Sequence, residues 1–232
     1  MRGALPTYQR IAETVTRDIA AGRLKPGDRL PPERVMAAAH GVTVTTLRKA
    51  LAVLTERGFL ARRQGSGNYI QAGDLRQATY ALFRLERLEG GGLPTAEVLA
   101  FAHRPKPHDL PDLGSGAPMA WHIRRLRSLD GVAVAVEDIW LDGRFTGAMT
   151  QGTVSESLYR SYRDILGLVI ARAEDRLGAA PLPDWAPDRL GLAPGAMMGL
   201  ARRRAFDADG RVAEVSNTWF DPARAAYVAR IP

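Results

Sequence analysis

A pair of predicted helices joined at Gly41 is the feature that most constrains the fold of this chain. Gly41 can end the first helix in the left-handed conformation, and Thr43 can accept a hydrogen bond from the first backbone amides of the second. Within the second helix, Leu47, Leu51 and Leu54 recur at helical spacing and predict one buried face. This pattern is typical of a helix-turn-helix.

The opposite face of the second helix carries polar and basic side chains that are free to contact a polyanion. These are Thr45, Arg48 and Lys49. Gly58 is predicted to end this helix, and two short strands, residues 59–63 and 68–70, follow around the turn Gln64-Gly65-Ser66-Gly67. A basic hairpin directly after such a helix indicates a wing.

Two helices are predicted upstream of this segment. Apolar side chains recur every four positions within residues 7–21, which predicts the first helix. Pro32 suits the first turn of the next, which runs to about His40, because the amide that proline lacks has no helical partner there. The result is a three-helix head followed by a wing.

The net charge of +7 is concentrated in this head. Residues 1–72 hold 12 Lys and Arg against 5 Asp and Glu, a balance of +7, whereas residues 73–232 hold 20 of each. A generally arginine-rich composition would not place the whole excess in one third of the chain. The distribution indicates a surface that contacts nucleic acid.

Length and composition exclude several classes of protein. A chain of 232 residues is long enough for two domains, each with its own core. Without cysteine it has neither disulfides nor thiolate metal sites, and its four histidines lack metal-ligand spacing, so no metal or cofactor is expected. No apolar run reaches roughly 18 residues and no signal-peptide pattern occurs, which predicts a cytoplasmic protein without a membrane partner.

A change in sequence character marks a predicted domain boundary. Leucines interleaved with charges continue to the flexible run Gly90-Gly91-Gly92. We therefore expect a winged helix-turn-helix domain over residues 1–72, a linker over 73–92 and a second domain over 93–232.

The second domain is predicted to have an α+β fold. Two pairs of strands read as hairpins, 121–129 with 132–141 around Asp130-Gly131, and 197–206 with 211–220 around residues 207–210. The other predicted elements are helices at 155–166 and 183–190 and strands at 168–177 and 225–231. Thr95 is predicted to cap the start of a short helix, and residues 98–103 can continue it either as a helix or as a strand. Together they favour one mainly antiparallel sheet with helices packed on it.

The first third of the chain resembles the winged helix-turn-helix of GntR-type bacterial transcription regulators. The resemblance rests on three ordered segments, residues 27–34 (GDRLPPER), 42–51 and 63–67. It implies that Arg34 meets DNA, that Thr43 and Thr46 hold phosphates, and that Arg48 reaches the groove. Many relatives have a basic residue where this chain has Val44, which implies that one contact is lost or becomes apolar.

The wing adds further candidates for contact with double-stranded DNA. Gly65 and Gly67 allow a close approach of the backbone, and Arg62 or Arg63 can follow the phosphates. The predicted DNA-binding residues are Arg34, Thr43, Thr45, Thr46, Arg48, Lys49, Arg63, Gly65, Ser66 and Gly67.

The second domain resembles the UTRA effector domain of the HutC branch of the GntR regulators. The matching segments are 125–127 (RLR), Asp130-Gly131, Glu137, 157–159 (SLY), 190–192 and 209–214 (DGRVAE). The resemblance implies the chorismate lyase fold and a small-molecule effector. Residues 219–227 depart from the family, where a tyrosine-arginine pair is common, so one ligand contact is expected to differ.

Five residues are candidates for binding this effector. Arg125 and Arg127 project to one face of an extended strand, where two guanidiniums can converge on an anion. Glu137 on the partner strand and Glu214 on the second hairpin can accept hydrogen bonds from hydroxyl or amino groups, and Thr95 at a helix start can contact an anion. Alternatively, the Arg and Glu side chains form ordinary salt bridges between neighbouring strands.

Two functions follow from these observations. The first is a repressor that binds a palindromic operator as a homodimer and is controlled by a small, anionic metabolite. The second is an enzyme with the chorismate lyase fold that carries a DNA-binding head. Residues 93–232 show no nucleophile-base pair, metal cluster or phosphate loop, so the sequence favours the repressor over the enzyme.

Overall fold

The computed structural model describes residues 6–63, 65–73, 82–145, 147 and 149–230, which fall into two compact units. Among the described residues, one unit contains those from Pro6 to Leu85 and from Tyr227 to Arg230, and the other contains those from Glu86 to Ala226.

The N-terminal unit contains the predicted three helices and the hairpin. They are α1 (Thr7–Ala20), α2 (Glu33–Ala39), α3 (Val44–Glu56), β1 (Leu60–Arg63) and β2 (Gly67–Ile70). Thr43 caps α3, because its hydroxyl accepts a hydrogen bond from the Thr46 amide at 3.2 Å. Gly41 has a φ of +62°, the left-handed conformation expected at the end of α2.

One apolar core holds these elements together. Its buried side chains come from the predicted face of α3, from α1 and from the start of the hairpin, and include Ile11, Val15, Leu47, Leu51, Leu54 and Phe59. A third chain segment joins the hairpin, since Arg29 pairs with Tyr69 and the Leu30 amide donates to the Asn68 carbonyl at 2.9 Å. The wing is therefore anchored to the turn that precedes α2.

The C-terminal unit is built on a six-stranded antiparallel sheet. The elements after the wing are β3 (Leu85–Arg87), β4 (Pro94–Pro105), β5 (Met119–Leu129), β6 (Val132–Asp142), α4 (Leu158–Leu166), β7 (Arg172–Pro181), β8 (Met197–Phe206), β9 (Val212–Phe220) and β10 (Ala225–Tyr227). The order in the large sheet is β4-β5-β6-β9-β8-β7, and β3 pairs with β10 in a separate sheet. This confirms the α+β class with a mainly antiparallel sheet.

The two faces of the large sheet are covered differently. Helix α4 packs Leu158 and Tyr162 against Ile123 and Ile139 on one face. Loop segments cover the other face, with Leu113 packed near Trp140 and the segment from Leu182 to Leu192 packed near Val136. Because side chains alternate along a strand, each face receives every second residue.

Some predicted elements differ from the structure. Thr95 does not cap a helix, because Pro94–Pro105 pairs along its length with β5 and forms a strand. The helix expected at 183–190 is reduced to a short 3₁₀ turn, Asp188–Leu190, since Pro187 holds the preceding residue out of the helical region. The strand expected from residue 168 begins at Arg172.

The segment expected to be a linker is described only in part. Residues 74–81 lie outside the described residues, and Leu85–Arg87 form β3. The last predicted strand is shorter than expected, Ala225–Tyr227, and residue 231 lies outside the described residues.

Candidate functional site

The solvent face of α3 carries the polar side chains that were predicted there. Thr45, Arg48 and Lys49 are exposed, while Leu47 and Leu51 are buried. The helix therefore presents one hydroxyl and two cations to solvent along a single face, an arrangement suited to a polyanion.

Arg48 is held by a carboxylate on the neighbouring helix. Its Nε lies 2.7 Å from Oε2 of Glu33, and no other partner of this guanidinium occurs in the part of the chain that the structure describes. The Arg48 side chain is 68% exposed, whereas that of Glu33 is 24% exposed. The bond through Nε leaves both terminal nitrogens of the guanidinium available, so Glu33 restricts Arg48 without occupying its outer edge.

Three other predicted positions lie around this helix. Arg34 is exposed on α2, one residue after Glu33. Thr43 uses its hydroxyl in the cap of α3, and its Oγ1 also lies 3.0 Å from Oγ1 of Thr46. Val44 is partly buried against the core of the unit, so its side chain contributes to packing.

The wing is stabilised by contacts among its own side chains. The Arg63 guanidinium lies 4.4 Å from the centre of the Tyr69 ring, and the Tyr69 hydroxyl lies 2.7 Å from Oγ of Ser66. Gly67 has a φ of +115°, and a Cβ there would lie 3.3 Å from Nε of Arg29. Arg29 therefore lies beside the wing, a position that its separation from the hairpin in sequence did not indicate.

In the C-terminal unit, a buried carboxylate joins two of the predicted arginines. Glu137 lies 2.7 Å from a terminal nitrogen of Arg125 and 3.3 Å from Nε of Arg127. The side chains are only 5–9% exposed, so this is a buried cluster. Burial raises the pKa of Glu137, but its attraction to the two guanidiniums outweighs burial, and the pKa lies below its ordinary value.

Arg125 retains unused hydrogen-bonding capacity. Its Nε and one terminal nitrogen are buried without a hydrogen-bond partner among the described residues. Arg127 donates to the Glu156 carbonyl at 3.0 Å, directly before Ser157, whose hydroxyl caps α4. A buried guanidinium with unpaired N–H groups is costly, and an anion beside it would satisfy these donors.

Glu214 lies in the same cluster and is bound by two tyrosines of α4. The hydroxyls of Tyr159 and Tyr162 donate to its two oxygens at 3.1 and 2.7 Å. Burial raises the pKa of Glu214, although these hydroxyls and Arg125 act to lower it. Burial and the Glu214 carboxylate also raise the pKa of both tyrosines.

A third arginine belongs to this cluster although it was not predicted. Arg203 binds Asp175 through two contacts of 2.6 Å each, and it also interacts with Tyr159. Burial lowers the pKa of Arg203, but Tyr159 and Asp175 outweigh burial and raise it. The only feature of the sequence that could have indicated this position is the alternation of side chains along the predicted strand 197–206, which places Arg203 on the face opposite to Arg202.

Thr95 is separated from the other four predicted effector residues. It pairs with Ser128 on β5, whereas its neighbour Ala96 pairs with Arg127. Adjacent strand residues point to opposite faces, so the Thr95 side chain lies on the other face from the arginines. The structure therefore brings together Arg125, Arg127, Glu137 and Glu214, and leaves Thr95 apart.

Comparison with known families identifies both units. Residues 7–70 match the bacterial regulatory proteins of the gntR family, and residues 89–226 match the UTRA domain. The chain belongs to the GntR family of transcription regulators and carries a UTRA domain. A GntR head implies DNA binding, and a UTRA domain implies binding of a small-molecule effector.

Relatives extend over the full length of this regulator. The HTH-type transcriptional regulator SmoD of Agrobacterium fabrum is 52% identical over 229 residues, covering 99% of this chain and 97% of that protein. The mannosyl-D-glycerate transport/metabolism system repressor MngR of Escherichia coli is 29% identical, covering 94% and 93%. The family therefore includes proteins named as repressors.

Solved structures support the same fold. The crystal structure of the regulator YydK from Bacillus subtilis has a TM-score of 0.56 and 20% identity, covering 98% of this chain and all of that chain.

Within the described residues of the regulator, no helix combines the length and apolar character needed to cross a membrane.

We predict that Glu33 controls how Arg48 contributes to DNA recognition. Glu33→Ala should weaken binding to operator DNA about threefold, because Arg48 would lose the bond that restricts its conformers. Binding to random-sequence DNA should stay equal or tighten, since a negative charge near the phosphates is removed. Fluorescence anisotropy with both DNAs measures the two affinities.

The matched control for this prediction is Glu56→Ala, which removes an exposed carboxylate at the end of α3. This control should change the affinities for operator DNA and for random-sequence DNA by the same factor. If Glu33→Ala also changed the two affinities by the same factor, the positioning role of Glu33 would be contradicted.

We also predict a pH dependence of stability from Glu214. The raised pKa means that the folded chain keeps this proton at pH values where the unfolded chain has lost it, so the free energy of unfolding falls as the pH rises above 4.5, the ordinary value. Glu214→Gln removes this contribution. From pH 4.5 upward, the free energy of unfolding of the variant should fall less than that of the wild type.

Urea denaturation at a series of pH values tests this directly. Glu97→Gln, which changes an exposed glutamate of the same unit, should follow the wild type. A constant difference between Glu214→Gln and the wild type at every pH would show that Glu214 does not contribute as described.

Proposed function

We propose that this regulator is a repressor that binds a palindromic operator as a homodimer and is released by a small anionic, hydroxylated metabolite. The metabolite binds in the cluster around Arg125, and the protein acts in the cytoplasm, where its operator is. The observation that carries this proposal is the buried pair of unbonded N–H donors on Arg125, beside Glu137, which forms ion pairs with Arg125 and Arg127.

The operator contacts are proposed to come from α3, the start of α2 and the wing. The exposed Thr45, Arg48 and Lys49 face supports this, as does the excess of +7 charges in residues 1–72. Arginine can contact guanine through two parallel hydrogen bonds, and the terminal nitrogens of Arg48 are available for this. Arg34, Thr43, Thr46 and the wing residues 63 and 65–67 supply backbone contacts.

The chemistry of the cluster supports an anionic ligand with hydroxyl groups. Arg125 offers charged donors, while the carboxylates of Glu137 and Glu214 accept hydrogen bonds from hydroxyls. The repressor MngR, a relative along nearly the whole chain, is named for mannosyl-D-glycerate, which is a sugar linked to a carboxylate. A sugar carrying a carboxylate, phosphate or another acidic group fits the same set of partners.

The ligand acts by preferring one arrangement of the dimer. A ligand that bound the operator-binding and operator-free states equally would shift nothing, however tightly it bound. Release therefore requires that the metabolite bind more tightly to the operator-free state. The segment between the two domains is proposed to transmit this preference, because it links the two binding sites along the chain.

The experiment that tests the proposal is an induction titration. Operator DNA is first selected from a random library with the wild-type regulator, and acidic and phosphorylated sugars are screened for release of that DNA. Arg125→Gln should raise the inducer concentration needed for release about 10- to 100-fold, because a charge-assisted hydrogen bond is lost. Operator affinity without inducer should change less than about twofold, because Arg125 lies outside the DNA-binding head.

Arg211→Gln is the matched control, since Arg211 is exposed and lies in the same unit. It should leave the induction curve unchanged. If the Arg125→Gln variant released DNA at the same inducer concentration as the wild type, the assignment of the effector site would be contradicted.

The dimer is proposed on grounds of specificity. One recognition helix covers too few base pairs to select a genomic site, whereas two half-sites about 34 Å apart do so by symmetry. Strand β7 offers a surface for pairing, because it forms an edge of the sheet and Leu177 on it is 58% exposed.

Sedimentation velocity should show a dimer at micromolar concentration and one dimer bound per operator. A monomer, or one chain per operator, would refute this assembly.

A further inference from the structure

A cavity lies on the face of the large sheet that is turned away from α4. Its volume is about 470 Å³, within the range of about 300 to 1,000 Å³ that is typical of sites for small ligands. The residues that line it include Asp138, Trp140, Arg202, Arg204, Val215 and Asn217. Arg203, which belongs to the cluster around Arg125, also contributes to the lining.

The register of the strands explains how this cavity is lined. Asp138 pairs with Asn217, which pairs with Arg202. One step along the strands, Trp140 pairs with Val215, which pairs with Arg204. Residues that are directly opposite each other share a face of the sheet. The row of Asp138, Asn217 and Arg202 is therefore polar, and the row of Trp140, Val215 and Arg204 contains two apolar side chains and one cation.

Two cations in this cavity lack anionic partners. Arg202 and Arg204 are exposed, and neither side chain has a hydrogen bond or an ion pair to any residue that the structure describes. Arg204 does contact the Phe206 ring, with 5.5 Å between its guanidinium carbon and the ring centre. The side-chain amide of Asn217 likewise has no hydrogen-bond partner within the described ranges. These groups are therefore available for a ligand.

The carboxylates around the cavity do not neutralise these arginines. Asp138 already accepts from Arg124 and from the Trp140 indole at 2.9 Å each, and its oxygen lies 3.0 Å from Nε2 of His122. Glu174 lies 3.3 Å from Nε of Arg176. Asp109 lines the cavity from the loop on its far side, where it can accept a hydrogen bond from a ligand hydroxyl.

We propose that this cavity is a second ligand site, which binds a small organic anion such as a carboxylate or phosphate ester. Arg202 and Arg204 are two residues apart on β8 and point to the same face, so they can hold one anionic group together. Asn217 donates a further hydrogen bond, and Val215 lies under the apolar part of the ligand. The site is separate from the proposed effector site, because the sheet lies between them.

Calorimetric titration of the full chain with citrate and with inorganic pyrophosphate tests this site. The titrations are carried out at constant ionic strength, with chloride as the reference salt. The wild type should show saturable binding of at least one of the two anions. The double variant Arg202→Gln and Arg204→Gln should weaken that binding at least about tenfold, because both charged donors are removed.

Two controls identify the source of any effect. The double variant Arg189→Gln and Arg211→Gln removes the same charge from exposed arginines elsewhere in the unit and should leave binding unchanged. Arg125→Gln, which acts in the proposed effector site on the opposite face of the sheet, locates the anion: the part of the binding that depends on Arg202 and Arg204 should remain in this variant. Thermal melting of each variant confirms that the fold is retained.

Four outcomes would overturn the proposal. The first is that neither anion binds the wild type saturably. The second is equal weakening by the Arg189 and Arg211 control, which would indicate a general charge effect. The third is loss of binding in Arg125→Gln, which would place the anion in the effector cluster. The fourth is weaker operator binding by the Arg202 and Arg204 variant without any anion, which would make this surface a contact for DNA.

Discussion

The burial of Glu137 between two guanidiniums constrains the whole C-terminal unit. A carboxylate removed from water is costly unless charged donors surround it, and removing one partner typically costs about 3 to 5 kcal/mol. Arg125 and Arg127 lie on β5 and Glu137 on β6, so the pairing holds only in the observed register. A slip of one residue would move the charges to the opposite face and the apolar residues of that face toward α4.

The same constraint explains why the tyrosines of α4 matter. Arg125 and Arg127 form their ion pairs with Glu137, while Tyr159 and Tyr162 donate to Glu214 from the helix that covers the sheet. The helix is thus fixed to the sheet by polar bonds as well as by the packing of Leu158. At the proposed effector site, a ligand would compete with the bonds that hold α4 in place, and its binding would thereby affect the packing of the helix.

Local sequence signals predicted the helices and the hairpin of the N-terminal unit well, because each of these elements depends on residues within a short segment. Gly41 and Thr43 act within one turn of their own position. In the C-terminal unit a signal of the same kind predicted the turn at Asp130-Gly131, where both residues have positive φ. Contacts between distant residues were harder to predict. The Glu33 and Arg48 pair joins two helices, and Tyr162 reaches Glu214 across 52 positions. Thr95 had a plausible capping sequence, but pairing with β5 along the whole strand outweighed that local preference.

The alternation of side chains along the strands has a consequence for how this regulator can evolve. Glu137 and Asp138 are neighbours in sequence but lie on opposite faces of the sheet, Glu137 in the buried cluster with Arg125 and Asp138 beside the cavity, and Arg203 lies between Arg202 and Arg204 in the same way. Substitutions at even and odd positions of one strand therefore act on separate chemical environments. A lineage could change the chemistry of one face through single-residue steps while the other face keeps its own, provided that the shared backbone register is preserved.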